Sequence, residues 1–105
     1  MPTLPTADPD VTDNTDEHRY EIRIEGRLVG YAVYERVGDR TVFVHTVVES
    51  ELQGQGLGRR LAKAALDDVR RRHQIAVPRC SFIVDYIARH PEYRDLLPAP
   101  GGAGA

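Results

Sequence analysis

The chain has 105 residues, a length that suits one small domain and argues against two. Its single cysteine, Cys80, excludes an intramolecular disulfide and favours a reducing compartment, and no apolar run approaches the length of a membrane span. The net charge of −2 conceals an asymmetry: five of the 16 acids fall within residues 1–18, leaving 11 against all 14 bases, a net of +3 that suits an anionic ligand and is too weak to argue for nucleic acid. The first residues also lack the basic and apolar regions of a secretory signal, so the default expectation is a cytoplasmic protein with neither a membrane nor a nucleic acid as partner.

Residues 1–18, "MPTLPTADPDVTDNTDEH", are rich in Pro, Asp and Thr and predict a disordered acidic leader. "YEIRIEG" alternates Tyr20, Ile22 and Ile24 with Glu21, Arg23 and Glu25, the period of a half-buried strand over about 19–25, and Glu25-Gly26 turns it. "RLVGYAVYER" gives a second strand over about 28–36, Gly38-Asp39 a second tight turn, and "TVFVHTVV" a third strand over about 41–48. Such short turns imply an antiparallel meander. Leu57, Leu61, Ala65 and Val69 then recur at helical spacing, with Arg59, Lys63, Asp67 and Arg70 outside the stripe, which predicts a helix near 57–73. "IAVP" reads as a buried strand near 75–79, and "SFIVDYIARH" as a helix near 81–89, capped by Ser81 and stopped by Pro91. "PEYRDLL" suits one further helical segment, and "PAPGGAGA", residues 98–105, a disordered tail. The domain is then 19–97. Its class is α+β: a three-strand antiparallel meander, a helix, a fourth strand parallel to the third by helical crossover, and a C-terminal helix.

Between the third strand and the first helix lie Gly54, Gly56 and Gly58, one at every second position. A turn needs one glycine, and each further one adds unfolded-state entropy that folding must overcome. Close approach of a ligand is a better reason: without Cβ, the free N–H groups of a helix start can meet an anion. Three phosphate-binding loops compete. The Walker loop requires Gly-Lys-Ser/Thr, whereas Gly58 is followed by Arg59-Arg60. The dinucleotide fingerprint requires G-x-G-x-x-G in an opening βαβ unit, and the spacing here is G-x-G-x-G after a meander. The pattern Gln/Arg-x-x-Gly-x-Gly/Ala matches Gln53-Gly54-Gln55-Gly56-Leu57-Gly58 in full.

That last pattern resembles the acyl-CoA pyrophosphate loop of the GNAT superfamily of acetyl-CoA-dependent N-acetyltransferases, and the likeness extends from about Tyr20 to Leu97. It is similar in particular to a small subgroup of minimal stand-alone domains, through Phe43-Val44-His45-Thr46-Val47-Val48, Pro78-Arg79-Cys80-Ser81-Phe82 and His90-Pro91-Glu92-Tyr93. Ordinary members carry a strand and one or two helices before the meander, where this chain has only a polar leader. The resemblance implies that acetyl-CoA lies where the third and fourth strands splay. Backbone groups near Val47 and Val48 would pair with the pantetheine arm, and amides from Gln53 to Arg59 (Gln53, Gly54, Gln55, Gly56, Leu57, Gly58, Arg59) would hold the pyrophosphate, helped by the helix dipole. Arg59, Arg60 and Lys63 are within reach of phosphates, although solvated helix surface is the plainer reading of Arg60 and Lys63.

The implied reaction is acetyl transfer from acetyl-CoA to an amine acceptor that the sequence does not identify, with no metal. The alternative is a non-catalytic acyl-CoA-binding or sensor domain. Transfer requires a deprotonated amine, a polarised thioester carbonyl and a proton for the leaving thiolate. The candidates for proton work are His45, Tyr86, His90 and Tyr93. His45 is expected to share a strand face with Phe43 and Val47, either as a hydrogen-bonded core residue or as a base and partner for Cys80. Tyr86 is read as a thiolate protonator or as core packing, and His90 and Tyr93 as shaping the C-terminal turn. Cys80, at a strand–helix boundary beside Arg79, reads either as a buried apolar residue or as a nucleophile that accepts the acetyl group and passes it on. Direct transfer, with Cys80 only lining the site, is equally open.

Overall fold

A computed structural model describes residues 9–98. Five strands form one sheet: β1 (Asp10–Asn14), β2 (Arg19–Ile24), β3 (Arg27–Val37), β4 (Arg40–Val48) and β5 (Ile75–Pro78). They lie in chain order, antiparallel up to β4 and then parallel between β4 and β5. The helix α1 (Leu57–Arg71) makes the crossover from β4 to β5, and α2 (Ser81–Arg89) follows β5. Short 3-10 segments occupy Ser50–Leu52 and Pro91–Leu96. The meander turns as expected. Glu25 and Gly26 both take positive φ, 50° and 82°, between the paired Ile24 and Arg27, and Gly38 at φ 61° opens the turn between Val37 and Arg40.

The apolar stripe of α1 is buried: Leu61, Leu66 and Val69 are fully covered, each contributing about 2 kcal/mol relative to exposure. They pack on Tyr20, Ile22, Ala32, Tyr34 and Phe43 from one face of the sheet, and Ile83, Tyr86 and Ile87 of α2 join the same cluster. Both helices thus cover one face. On the opposite face, in the rows set by the Tyr31–Val47 and Val33–His45 pairs, no helix of the described residues provides cover.

Two expectations are corrected. Residues 1–18 are predicted to be a disordered leader, yet Asp10–Asn14 forms the first strand. Its polar composition conceals distant partners. Asp13 accepts from the Tyr34 hydroxyl at 2.5 Å and from Arg36 and Arg72 at 3.1 Å, Asn14 donates to Glu21 at 3.1 Å, and Val11 packs on the core. Residues 1–8 of that leader, and residues 99–105 of the expected tail, lie outside the described residues. Ser81 is predicted to cap α2, but it is the first helical residue: Cys80 holds the cap position, in extended geometry and without a side-chain cap bond.

The end of the sheet remote from the glycine loop is fastened by a polar cluster. Asp68 of α1 accepts from the Tyr20 hydroxyl and from Arg72, both at 2.7 Å, and pairs with Arg71. Arg36 donates to Tyr20 at 2.6 Å and lies over the Tyr34 ring, 4.3 Å from its centroid. Burial pushes the Asp68 carboxyl up, but the bonds from Tyr20 and Arg72 and the charge of Arg71 outweigh it and hold the carboxyl below its ordinary 3.8. Burial pushes the Glu21 carboxyl up as well, but the bonds from Arg19 and Asn14 and the charge of Arg23 outweigh it and hold it below its ordinary 4.5. A depressed folded value gives stability that is complete above the unfolded value and is lost as pH falls through the folded one. Urea titrations from pH 7 to pH 2 are therefore expected to show constant stability down to about pH 5 and a decline below it. Asp68→Asn is expected to cost about 3 kcal/mol at pH 7 and to flatten that decline.

Candidate functional site

The site begins where β4 loses its second partner. Phe43 is the last residue of β4 paired with β5, opposite Pro78, and its carbonyl also accepts from the Arg79 N–H at 2.9 Å. Pro78 has no N–H to continue the ladder, and the chain then turns into α2. On its other side β4 changes register at the same point: Val33 pairs with His45 and Tyr34 with Phe43, so Val44 is an extra, bulged residue. A bulge bends and twists its strand. From His45 to Val48, β4 is paired with β3 alone, and one row of its backbone groups faces a gap instead of β5.

The bulge also overturns the expected placement of His45. Strict alternation puts Phe43, His45 and Val47 on one face, but the extra residue separates them. Phe43 is buried under the helices, while His45 and Val47 are exposed on the uncovered face, with His45 edge-on to Tyr31 at 6.4 Å. Thr46 takes the helix side, and its hydroxyl lies 3.5 Å from the Cys80 Sγ. His45 and Cys80 are therefore not partners. Cys80 is buried, and its side chain meets Thr46.

Beyond Val48 the chain makes its 3-10 turn, and the Gln53 side-chain amide donates back to the Val48 carbonyl at 3.2 Å, closing the loop onto the strand end. The three glycines have two different causes. Gly54 and Gly56 sit at φ 91° and 81°, a region L-residues avoid, and Gly56 is the N-cap of α1. A Cβ on Gly56 would also stand 3.2 Å from the Arg59 guanidinium, which folds back over the loop. Gly58 is helical and is bare for another reason: a Cβ there would lie 2.8 Å from the tip of Phe82 on α2. The close approach expected of a ligand at Gly58 is made by a ring of the protein.

The first intrahelical bond of α1 runs from Arg60 N–H to Gly56 C=O, so the amides of Leu57, Gly58 and Arg59 have no carbonyl a turn earlier to meet. No side chain caps them, and the first turn carries no acid. These donors, the positive end of the helix dipole and Arg59 suit an anion such as a pyrophosphate. They border a cleft of about 350 Å³ whose other walls are Thr46 and Val48 of β4, Leu52, and Phe82. Of the residues expected here, Val48, Gln53, Gly54, Gly56, Leu57, Gly58 and Arg59 line the cleft; Gln55 lies on the far side of the loop, and Val47 points to the other face of the sheet. Thr46, Leu52 and Phe82 are the walls that the sequence reading did not assign. An apolar Phe in the first turn of α2, in register with a helical glycine, was the available signal for Phe82.

Tyr86 does not line this cleft. It is 7% exposed and stacks on His90 with ring centroids 4.1 Å apart, and burial, the largest influence on it, raises its hydroxyl above the ordinary value. Tyr93 donates to Asp67 at 2.6 Å; burial and that bond push its hydroxyl up to about 12, so it serves as a neutral tie between α1 and the C-terminal segment. Among the described residues no His, Cys, Asp and Glu group could hold a metal ion.

The comparisons with known proteins agree with this geometry. A family model described as GCN5-related N-acetyl-transferase matches residues 19–96. The protein NATD1 of Xenopus tropicalis is 32% identical over 94 residues, which are 84% of this chain and 86% of that protein. Mouse NATD1 is 34% identical over 85 residues, 77% of this chain and 76% of that protein. Among solved structures, the solution structure of a GCN5-like candidate N-acetyltransferase from Staphylococcus aureus superposes with a TM-score of 0.65, at 26% identity over 84% of this chain and 86% of that one.

The contact between Gly58 and Phe82 can be tested alone. Gly58→Val is expected to cost about 1–2 kcal/mol by overpacking. Adding Phe82→Ala is expected to recover most of that loss. Urea unfolding of both single variants and the double variant measures the coupling, and additive losses would mean that the two residues do not meet.

Proposed function

The chain belongs to the GCN5-related N-acetyltransferase family, and from that premise we propose that it transfers an acetyl group from acetyl-CoA to an amine. The observation that carries the reading is the coincidence, at one cleft, of a strand edge released by β5 and a helix start with three uncapped amides. A CoA thioester has a matching order of groups. Its pyrophosphate suits the amides of Leu57, Gly58 and Arg59, and its pantetheine amides suit the free backbone row of β4 near Val47 and Val48. This brings the thioester to the gap between Phe43 and Thr46, with a strand N–H available to polarise its carbonyl. The amine nitrogen bonds to the carbonyl carbon, the C–S bond breaks, and the sulfur leaves as a thiolate that takes its proton from water.

The two faces of the sheet divide the work. The donor enters from the helix side, and the acceptor reaches the gap from the uncovered face, where His45 stands beside Tyr31. His45 is then the base that takes the amine proton. Cys80 is on the donor side with Thr46, away from His45, which favours direct transfer over an acetyl-cysteine relay. The second reading, an acyl-CoA-binding or sensor domain without turnover, is favoured by one observation: the acceptor face has no helical wall among the described residues. Turnover with an amine separates the two.

Binding is tested by thermal shift. Acetyl-CoA at a hundredfold excess over its Kd is expected to stabilise the protein by about 2.7 kcal/mol. In Gly56→Val, where the side chain meets a forbidden φ and displaces Arg59, that shift is expected to vanish. An unchanged shift in the variant would remove the loop from the phosphate site.

Catalysis is tested by His45→Gln, expected to lower kcat by about 100-fold with KM for acetyl-CoA unchanged. In the same work, acetyl-CoA alone is expected to leave no hydroxylamine-sensitive acetyl mass on the protein. Such a mass, absent in Cys80→Ala, would establish the relay instead.

A further inference from the structure

The face of the sheet that no helix of the described residues covers carries an ordered set of charges. Tyr20 and Ile22 are buried under the helices, so alternation puts Arg19, Glu21 and Arg23 of β2 on the uncovered face. Glu21 is nevertheless only 2% exposed. Its carboxylate accepts from the Arg19 Nε at 2.7 Å, from Asn14 at 3.1 Å and from Arg23 at 2.9 Å. One acid thus serves two guanidiniums. Asp10, paired opposite Arg23 at the end of β1, brings a second acid to Arg23 alone. Arg19 keeps the surplus charge: it gives Glu21 only its Nε, and its two terminal nitrogens meet no partner among the described residues.

That charge stands beside His45. Arg19 pairs with Val33, and Val33 with His45, so the three share one row across β2, β3 and β4. The Arg19 guanidinium lies over the Tyr31 ring, 4.5 Å from its centroid, and the His45 ring stands edge-on to the same ring at 6.4 Å. Laid end to end, those distances keep guanidinium and imidazole within about 11 Å of each other. Glu35, two residues past Val33 on the same strand face, lies on the other side of that row from Tyr31. The floor between is apolar: Tyr31, Val33 and the 40% exposed Val47. A cation on one side of the His45 row and an acid on the other is a pattern that a zwitterion completes.

This inference rests on the acetyl-transfer reading and names its acceptor. We propose that the acceptor is a free α-amino acid with an apolar side chain, its amine at His45 and its carboxylate on Arg19. The spacing supports this. The amine–imidazole and carboxylate–guanidinium contacts each take about 3 Å. What remains within the ceiling is the few ångströms between an α-amine and its own carboxylate; a lysine side-chain amine stands too far from the carboxylate of its residue. The charges support it as well. The ammonium is attracted by Glu35 before His45 takes its proton, whereas a polyamine would bring a second cation against Arg19. An N-terminal aspartyl residue would satisfy Arg19, but it would lay a peptide N–H and C=O on Val33 and Val47, whose side chains offer them no partner. Transfer then yields the N-acetyl amino acid and free CoA, and the carboxylate is unchanged.

Leucine and leucinamide present the same amine with and without the carboxylate, and mass spectrometry of the N-acetyl products at saturating acetyl-CoA compares them. The wild-type protein is expected to acetylate leucine with a kcat/KM about tenfold or more above that for leucinamide, although the amide's amine is the easier to deprotonate. This ratio tests the carboxylate without any variant. Arg19→Gln removes the charge and keeps an N–H for Glu21. It is expected to raise KM for leucine by about tenfold and so bring the ratio to about one, with KM for acetyl-CoA unmoved. Equal rates on the two amines in the wild-type protein, or a leucine preference that survives Arg19→Gln, would overturn the assignment. So would turnover of spermidine, a lysine peptide or an N-terminal aspartyl peptide without turnover of leucine. In each of these cases the acetyl-transfer reading stands. No turnover with any of these amines would overturn both.

Discussion

The pair between Phe43 and Pro78 divides the molecule. Up to that point β4 is a central strand with a partner on each side; beyond it, β4 has only β3. Two local features end the pairing at the same place: a proline without a donor on β5, and an extra residue, Val44, on β4. The cleft, the free backbone row, the meeting of Thr46 with Cys80 and the turning outward of His45 all follow. Continued to Val48 with full pairing, β5 would fill the gap and leave the uncapped start of α1 bordering no cleft.

A sheet parted at one end has to be held at the other. The polar cluster joining Asp13, Tyr20, Tyr34, Arg36, Asp68 and Arg72 lies at the end of α1 opposite the glycine loop, and ties β1, β2 and β3 to the last turn of that helix. None of the buried side-chain polar atoms among the described residues lacks a hydrogen-bond partner. That condition is what lets buried charge act as a fastening and not as a cost. The division of labour is physical. The helix start keeps three amides without a side-chain cap, whereas the helix end, with Arg71 and Arg72 complementing its dipole, is fully engaged with the protein.

Much of this was legible in the sequence because it depends on local signals. Periodicity placed β2, β3 and β4 and the buried stripe of α1 to within a residue or two, and the turn residues at Glu25-Gly26 and Gly38-Asp39 set an antiparallel meander. The glycine pattern marked the turn that enters α1, where Gly54 and Gly56 take positive φ. What escaped depends on partners distant in the chain. The strand Asp10–Asn14 has little apolar character and exists through ion pairs with residues such as Arg72, which composition does not reveal. The bulge at Val44 leaves no mark in a run of β-branched residues, so strict alternation put His45 on the wrong face. Gly58 looked like its neighbours in the loop, yet its reason is Phe82, 24 positions further on.

The central claim is that a phosphate-bearing thioester occupies the gap opened between β4 and β5. Titrating ¹⁵N-labelled protein with acetyl-CoA and following each backbone amide tests it most directly. The account predicts large shifts confined to Val44–Val48 and Gln53–Arg60, with the amides of Asp10–Asn14 and Asp68–Arg72 unmoved. Shifts concentrated on the remote polar cluster, or none at saturating acetyl-CoA, would contradict it.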